Sequence, residues 1–447
     1  MTAAATQPNV GIVGGGLLGL TVAYRLACAG TAVTVYERDG VLGGLAAASD
    51  LDGIPVDRYY HVTLPTDDRI IGLAAELGLG EDQFRFRRIG SGFYHEGRLA
   101  SMSTPRELLA FPGLALRDRV RLAAFGVRCA TLRNGDHLED IPLETWLRDV
   151  SGDRLWEQVW RPLLDSKFDG RYDDLPATYM WARMRRTGGT RDRRGQEVYG
   201  WLSGGYQSLI DRLAVAITER GGRILTSTPV RSIPSQGGRP IGVLTEEGLK
   251  EHDTIVTTQL RPALDAMLSD ELRDALGADR NRYLGVVCLV ARVKRSVSPY
   301  YALNITDRRV PLTSIVETTH VVDPEQVGGT LLYVPRYVDP SSPELERPSS
   351  EIRREYLGHV RTIFPQFHED DVLAAQVARA RVAEPVHVLG APREQDSFFP
   401  VPGLAVASTA QVYPELVNGQ AVVGVAERLV AELRERLSVM PLEEAVA

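Results

Sequence analysis

Lysine and cysteine are both scarce in this chain of 447 residues. Lysine occurs only at Lys167, Lys250 and Lys294, so arginine carries almost all of the positive charge. The three cysteines lie far apart and form neither a C-x-x-C nor a C-x-x-x-x-C pair. The spacings of a zinc finger and of a redox disulfide are therefore absent, and we expect no bound metal and no disulfide redox centre.

Long apolar runs and an excess of positive charge are also lacking. No run reaches the roughly 18 apolar residues of a membrane span, and residues 1–8 carry no charged side chain of the kind that opens a signal peptide. We therefore expect a cytoplasmic protein. The net charge of −7 argues against nucleic acid as a partner. Residues 108–130 mix aliphatic side chains with arginines, which favours a helix with a solvated arginine face and leaves peripheral contact with a membrane open.

The most informative segment is residues 10–38, which read as a strand, a glycine-rich turn, a helix and a second strand. Gly14, Gly16 and Gly19 follow the order G-x-G-x-x-G at the end of the first apolar run. That pattern is weak alone but informative between a predicted strand and a predicted helix. Glu37 ends the second strand 23 positions after Gly14, where an acid is expected to accept hydrogen bonds from a ribose.

Each glycine has a separate physical role. Gly14 allows the tight turn, Gly16 allows a pyrophosphate to approach the positive end of the helix, and Gly19 allows close packing. The segment therefore predicts a dinucleotide-binding unit. The further candidate cofactor residues in it are Leu17, Leu18 and Arg38.

A second glycine pair, Gly43-Gly44, follows the acid and is continued by Leu45. NAD-dependent dehydrogenases do not need glycines there. The N-terminal stretch resembles the FAD-dependent amine oxidase and protoporphyrinogen oxidase superfamily, in which such a pair lies against the FAD. The resemblance implies FAD as the cofactor and an α/β fold, with a Rossmann-like FAD-binding domain of the glutathione reductase and amine oxidase type.

The resemblance continues along the chain. Residues 156–183 are similar to substrate-domain helices of bacterial protoporphyrinogen-oxidase-like flavoproteins, and residues 197–213 to the segment that returns to the FAD domain. Residues 224–233 match a strand that meets the adenine, and 403–421 match the C-terminal FAD segment. The cofactor residues that these two segments imply are Val230, Thr409, Gln411, Asn418, Gly419 and Gln420.

The order of these segments predicts two discontinuous domains, the second with a mixed sheet and helices. The FAD-binding domain is expected to comprise residues 1–63, 199–262 and 396–447, and the substrate-binding domain residues 64–198 and 263–395. The sequence does not indicate the number of subunits. The lysine that amine oxidases keep on a substrate-domain strand has no counterpart in the apolar run 283–290, so the resemblance does not extend to amine oxidation itself.

A few polar residues are candidates for catalysis. Tyr60 and His61 follow the second glycine pair, where the chain is expected to return beside the flavin; His61 is either a base or a residue that fixes a turn. Glu317 ends a strand predicted over residues 312–317 and His320 follows it; they either line a pocket or lie on the surface. Arg185 and Arg186 belong to an arginine-rich run that either binds an anionic substrate or forms a solvated loop.

No second G-x-G-x-x-G is present, so a separate NADPH domain is not expected. The leading hypothesis is an FAD-dependent oxidoreductase, an oxidase or desaturase. It would take a hydride from a small-molecule biosynthetic intermediate onto flavin N5 and be reoxidised by oxygen or another acceptor. The alternative is a non-redox flavin mutase that resembles UDP-galactopyranose mutase and acts on a nucleotide sugar. A third interpretation is a flavin-bound partner protein without activity.

Overall fold

The structure is a computed structural model that describes residues 8–111, 113–192, 195–391 and 397–439. The strands are, in chain order, β1 Asn9–Val13, β2 Ala32–Tyr36, β3 Ala48–Asp50, β4 Pro55–Asp57, β5 Phe84–Ile89, β6 Ser91–His95, β7 Arg98–Ser101, β8 Glu197–Leu202, β9 Arg223–Leu225, β10 Ser235–Gln236, β11 Arg239–Pro240, β12 Val243–Thr245, β13 Gly248–Lys250, β14 Thr254–Thr257, β15 Arg282–Val293, β16 Ala302–Ile305, β17 Ser314–Glu317, β18 Thr330–Val338, β19 Val372–Val386 and β20 Leu404–Val406.

The α-helices connect these strands and cover both sheets. They are α1 Leu17–Cys28, α2 Asp68–Glu76, α3 Pro105–Ala110, α4 Leu116–Thr131, α5 Leu143–Ser151, α6 Asp153–Leu155, α7 Arg161–Phe168, α8 Thr178–Gly188, α9 Gly205–Glu219, α10 Arg261–Asp265, α11 Asp270–Leu276, α12 Pro324–Val327, α13 Ser349–Ile363 and α14 Gly419–Val439.

The first sheet is parallel and has the strand order β20-β14-β1-β2-β9. β1 lies at its centre, and both of its faces are buried, which is why its sequence is an unbroken apolar run. On one face Val10 and Ile12 pack in a core with α1, α9 and α14. On the other face Val13 and Tyr36 pack in a smaller core with Leu264. The carboxyl ends of β1 and β2 therefore meet at one edge of the sheet, beside the start of α1.

The second sheet is mixed and has the order β19-β15-β18-β17-β16-β6-β7. Its neighbouring strands are antiparallel except β16 and β6, which are parallel. One face packs in a core with α13, and a separate core of helices α4 to α8 lies beside it. The predicted fold class is confirmed: a Rossmann-like parallel sheet accompanies a mixed sheet with helices.

The predicted domain division stays a prediction. All strands of the parallel sheet lie in the segments assigned to the FAD-binding domain, and all strands of the mixed sheet lie in the other segments. The β5–β8 pair joins residues from both assignments. Residues 1–7, 392–396 and 440–447 of the assignment lie outside the described residues.

Two strand expectations were wrong in extent. The strand expected over 224–233 is only β9, which ends at Leu225, because Ser227 has a positive φ of 52° and turns the chain away. The N–H of Thr228 then donates to Glu37 O, so the turn follows the end of β2. The run expected from Leu312 begins as a strand only at Ser314.

Helix α4 has the exposed arginine face that the sequence predicted. It also exposes three large apolar side chains: Leu116, Val120 and Val127 are 65%, 58% and 63% exposed. Across the residues that the structure describes, no helix combines the length and the apolar character needed to cross a bilayer. Peripheral contact of α4 with a membrane stays a prediction.

Candidate functional site

Two glycines of the first turn are required by the fold itself. Gly14 has a φ of +116°, and a Cβ there would lie 2.3 Å from the Thr258 hydroxyl oxygen. A Cβ on Gly19 would lie 2.0 Å from the Gly14 carbonyl oxygen, because α1 packs directly against the turn. Side chains at these two positions are excluded whether or not a ligand binds.

Gly16 is different, because the fold gives no reason for its missing side chain. Its φ of −76° suits any residue, and the nearest atom to an added Cβ is the Gly43 carbonyl oxygen, 3.8 Å away. Gly16 is the N-cap of α1 and provides no side-chain cap. The side chains of Leu17 and Leu18 are buried, so only their amides are available as cofactor contacts. Those N–H groups belong to the first helical turn, which has no intrahelical acceptors. Open space and free donors at a helix N-terminus together suit a phosphate.

The second glycine pair lies against this turn. Gly43 has a φ of +115°, its N–H donates to Gly15 O at 2.8 Å, and an added Cβ would lie 2.8 Å from Ala47 Cα. Gly44 begins a short 3₁₀ helix with a φ of +59°, beside the Cα of Gly16. Leu45 is 37% exposed. The structure thus brings together the two glycine motifs that the sequence singled out.

The Glu37 carboxylate ties the end of β2 to the same turn. Its Oε2 accepts from Gly15 N–H at 2.7 Å and its Oε1 accepts from Asp39 N–H at 2.9 Å. The side chain is buried, and each oxygen keeps a lone pair for a further donor. Arg38 points to solvent and is 77% exposed. Glu37 therefore lies where the sequence predicted a ribose-binding acid, and it also holds the loop.

The predicted C-terminal cofactor residues are mostly engaged within the protein. Gln411 Oε1 accepts from Ser408 N–H at 2.6 Å, and Asn418 Oδ1 caps α14 by accepting from Ala421 N–H at 3.1 Å. Gln420 Oε1 accepts from the N–H groups at the start of α2. Gly419 leaves no room for a Cβ, which would lie 2.4 Å from the Tyr206 hydroxyl.

Two more predicted cofactor residues have weaker support. Val230 is half-buried against the smaller core of the parallel sheet and lies outside any strand. Thr409 begins a short 3₁₀ helix, Thr409–Val412, and lines a cavity described below. The cofactor roles of these C-terminal residues and of Val230 stay predictions.

A cavity with an empty volume of about 660 Å³, part of it open to solvent, is lined by Ala48, four residues after the second glycine pair, and by Tyr60 and His61. The Nδ1 atom of His61 lies 3.6 Å from Asp57 Oδ2, and its ring packs 4.7 Å from that of Tyr206. That Nδ1 is buried and has no hydrogen-bond partner among the described residues. Burial raises the pKa of Tyr60, so its hydroxyl stays protonated at neutral pH. The cavity is further lined by Gly204, Gly205, Trp201, Thr318 and Tyr333.

Glu317 and His320 do not line this cavity or the second cavity described below, although Thr318 between them lines this one. Glu317 is buried and accepts from the N–H groups of Val297 and Ser298 at 3.0 and 2.8 Å. His320 Nε2 lies 2.9 Å from Ser298 O. Both side chains hold the 297–298 segment, and their catalytic role stays a prediction without geometric support.

A second cavity, with an empty volume of about 570 Å³ that is partly open to solvent, is lined by groups that the sequence-based predictions missed. Glu384 on β19 lines it, and Glu384 Oε2 accepts from Lys167 Nζ at 2.5 Å. The ammonium group of Lys167 also lies 3.3 Å from the centre of the Tyr337 ring. Desolvation lowers the pKa of Lys167. Lys167 is one of only three lysines, but nothing in the sequence singled it out or connected it with Glu384.

The arginines of α8 lie in different surroundings. Arg185 is exposed and donates to Arg133 O, and Arg186 forms a bidentate pair with Asp67. Their role in substrate binding stays a prediction, although both already have partners. Arg183, one turn earlier, faces inward and interacts with Tyr179, Tyr60 and Glu384. Within the described part of the chain, no group of three or more His, Cys, Asp or Glu residues is arranged to hold a metal ion.

Known proteins share this architecture. Among curated relatives, the coproporphyrinogen III oxidase of Mycobacterium leprae is 28% identical over 231 residues, which are 46% of this chain and 51% of that protein. The chain spans only 51% to 58% of the length of the first curated relatives it matches.

Solved structures with two different chemistries align over almost the whole chain. Putrescine oxidase bound to putrescine has a TM-score of 0.72 and 16% identity, covering 96% of this chain and 99% of that one. Reduced UDP-galactopyranose mutase has a TM-score of 0.73 and 15% identity, covering 97% and 96%. At such identities the likeness shows the fold alone. The sequence pattern of the family described as flavin containing amine oxidoreductase, in contrast, matches residues 19–425. The predicted resemblance is confirmed: this chain belongs to the flavin containing amine oxidoreductase family.

Proposed function

We propose that the protein binds FAD, with its pyrophosphate against the start of α1. The observation that carries this proposal is the contrast between Gly16 and its neighbours. Gly14 and Gly19 lack a side chain because the protein backbone or an adjacent side chain fills the space, whereas an added Cβ on Gly16 has nothing closer than 3.8 Å. A ligand that approaches the backbone at Gly16 explains this glycine, and the fold does not.

The surrounding residues fit the rest of a dinucleotide. The amides of Leu17 and Leu18 are donors for phosphate oxygens, and the free lone pairs of Glu37 are acceptors for ribose hydroxyls. Gly44 is close to Gly16, so a ligand that passes Gly16 continues along the second glycine pair towards Ala48 in the first cavity.

We propose further that the protein is an oxidase or desaturase of a small molecule. The flavin, when bound, supplies the acceptor for a hydride from a substrate C–H bond. The chain itself must position that bond, exclude water and hold any proton that leaves. The cavity that Ala48, Tyr60 and His61 line has a mostly apolar and aromatic lining, which suits an organic substrate. His61 Nδ1, 3.6 Å from Asp57 Oδ2, has no hydrogen-bond partner among the described residues and is suited to hold a proton.

The experiment begins with protein reconstituted with FAD and made anaerobic. Coproporphyrinogen III and putrescine, the compounds named for similar proteins, are each added while the blue absorbance of the flavin is recorded. Bleaching by a C–H donor, followed by recovery of the absorbance when oxygen is admitted, is the expected result.

Two other results would contradict the proposed direction of electron flow. Bleaching by NADPH with no donor present would indicate a flavin that is charged by a nicotinamide. Turnover of a nucleotide sugar only after dithionite reduction, without oxygen consumption, would favour the mutase alternative.

A further inference from the structure

A group of half-buried polar side chains from five distant segments connects the linings of the two cavities. Tyr60 lines one cavity, and Tyr179 and Glu384 line the other. Tyr337 contacts Tyr60, and Arg183 interacts with both Tyr60 and Tyr179. We call this group the inter-cavity cluster; its members are Tyr60, Lys167, Tyr179, Arg183, Tyr337 and Glu384.

The charges of the inter-cavity cluster do not cancel. Lys167 and Glu384 neutralise each other at 2.5 Å, and their side chains keep only 17% and 20% exposure. Arg183 then remains, and no described carboxylate lies within 4 Å of its guanidinium group. The three tyrosines are neutral, because burial raises the pKa of each. The cluster therefore has one excess positive charge.

A half-buried charge that has no carboxylate of its own is costly, so this arrangement is suited to an anion that arrives with a ligand. A guanidinium group presents two parallel N–H donors that match the two oxygens of a carboxylate. Because the cluster has a single excess charge, a monoanion balances it, whereas a phosphate dianion would leave a negative excess.

We propose that Arg183 binds a carboxylate group of the substrate, with the hydroxyl groups of Tyr60 and Tyr179 beside it. The protein would then act on a small acid, which rests on the function proposed above and adds the class of substrate. This differs from the anion site expected at Arg185 and Arg186, whose guanidinium groups are already engaged by Arg133 O and Asp67.

The test is isothermal titration of the purified, FAD-loaded protein with three probes of similar shape: sodium benzoate, benzamide and phenyl phosphate. Benzoate is expected to bind at least about 10-fold more tightly than either of the others. Benzamide is neutral and cannot form the charge-assisted pair, and phenyl phosphate has a second negative charge that the cluster does not balance. Arg183→Gln should weaken benzoate binding at least about 10-fold and leave benzamide unchanged. Arg117→Gln, on an exposed arginine of α4, is the matched control and should change neither.

Several outcomes would overturn the proposal. With the wild-type protein, these are no binding of benzoate, equal affinity for benzoate and benzamide, or the highest affinity for phenyl phosphate. A loss of benzoate affinity in Arg185→Gln as large as that in Arg183→Gln would overturn it as well. If Arg183→Gln does not fold by circular dichroism, Arg183→Lys takes its place, because it keeps the charge and loses the planar fork; unchanged benzoate binding in that variant would also overturn it. Flavin content is measured separately, so benzoate binding by a protein that holds no FAD would refute the proposed function and not this inference.

Discussion

Replacing Gly16 by valine tests whether this position is a glycine because a ligand binds there or because the fold requires it. The φ of −76° and ψ of 176° at this position suit a β-branched residue, and the nearest protein atom to the new Cβ is 3.8 Å away. We therefore expect Gly16→Val to fold. The isopropyl group would occupy the space through which a phosphate reaches the amides of α1, and FAD should be lost.

The expected loss of apoprotein stability is smaller than the expected loss of FAD binding. Glycine is a somewhat better N-cap than valine, so the apoprotein should lose at most about 1 kcal/mol, a shift in Tm of no more than about 4 °C. Loss of two charge-assisted hydrogen bonds to phosphate costs roughly 3 kcal/mol or more. That corresponds to at least about 100-fold weaker FAD binding.

The assay measures FAD binding by quenching of flavin fluorescence and apoprotein stability by circular dichroism. Gly72→Val is the control, because Gly72 is exposed in α2 and an added Cβ meets nothing within 4 Å. That variant should bind FAD normally. Gly19→Val should fail to fold, because its Cβ would lie 2.0 Å from the Gly14 carbonyl oxygen. Normal FAD binding by Gly16→Val would refute the reasoning.

Three other changes test the remaining parts of the account. Glu37→Ala should weaken FAD binding about 10-fold or more, measured by the same fluorescence titration, and unchanged binding would exclude a ribose contact. Arg309 holds the pKa of Asp307 at about 2, below its usual value of 3.8. The stability that this pair contributes is therefore present above pH 3.8 and lost as the pH falls through about 2. Asp307→Asn should lower the free energy of unfolding at pH 7 by about 1 kcal/mol after allowance for the exposed Arg309, which is measured by thermal melts, and the difference from wild type should shrink near pH 2; a constant difference would contradict this. Glu384→Met should lower the Tm by more than the double variant that also carries Lys167→Met, because the single change leaves the two cations Lys167 and Arg183 without a carboxylate; thermal melts in which the double variant is the less stable would show that the pair is not coupled.

The dinucleotide unit could be predicted from the sequence because its requirements are local. Gly14, Gly19 and Glu37 are fixed by a turn, a helix contact and a strand end that lie within 24 residues of one another. The fold class followed from the same segment and from the resemblance along the chain. Of Gly14, Gly16 and Gly19, only Gly16 has open space beside an added Cβ, which agrees with the separate roles that the sequence predicted for them.

The polar side chains of the substrate region could not be predicted, because long-range packing brings them together. Lys167 and Glu384 are 217 positions apart in the sequence, and neither belongs to a recognisable motif. For Gln420 the resemblance implied a cofactor contact, which stays a prediction, but it did not reveal that the amide oxygen accepts the first N–H groups of α2. Glu317 was expected at the surface or in a pocket, and it is instead buried in a loop contact.

The central claim is that FAD lies with its phosphates on the amino end of α1. The visible spectrum of the purified protein after incubation with FAD and removal of the excess tests this most directly. We predict a yellow protein that retains close to one FAD per chain and releases it as intact FAD on denaturation. A colourless protein, or one that retains riboflavin or FMN as readily as FAD, would contradict the account.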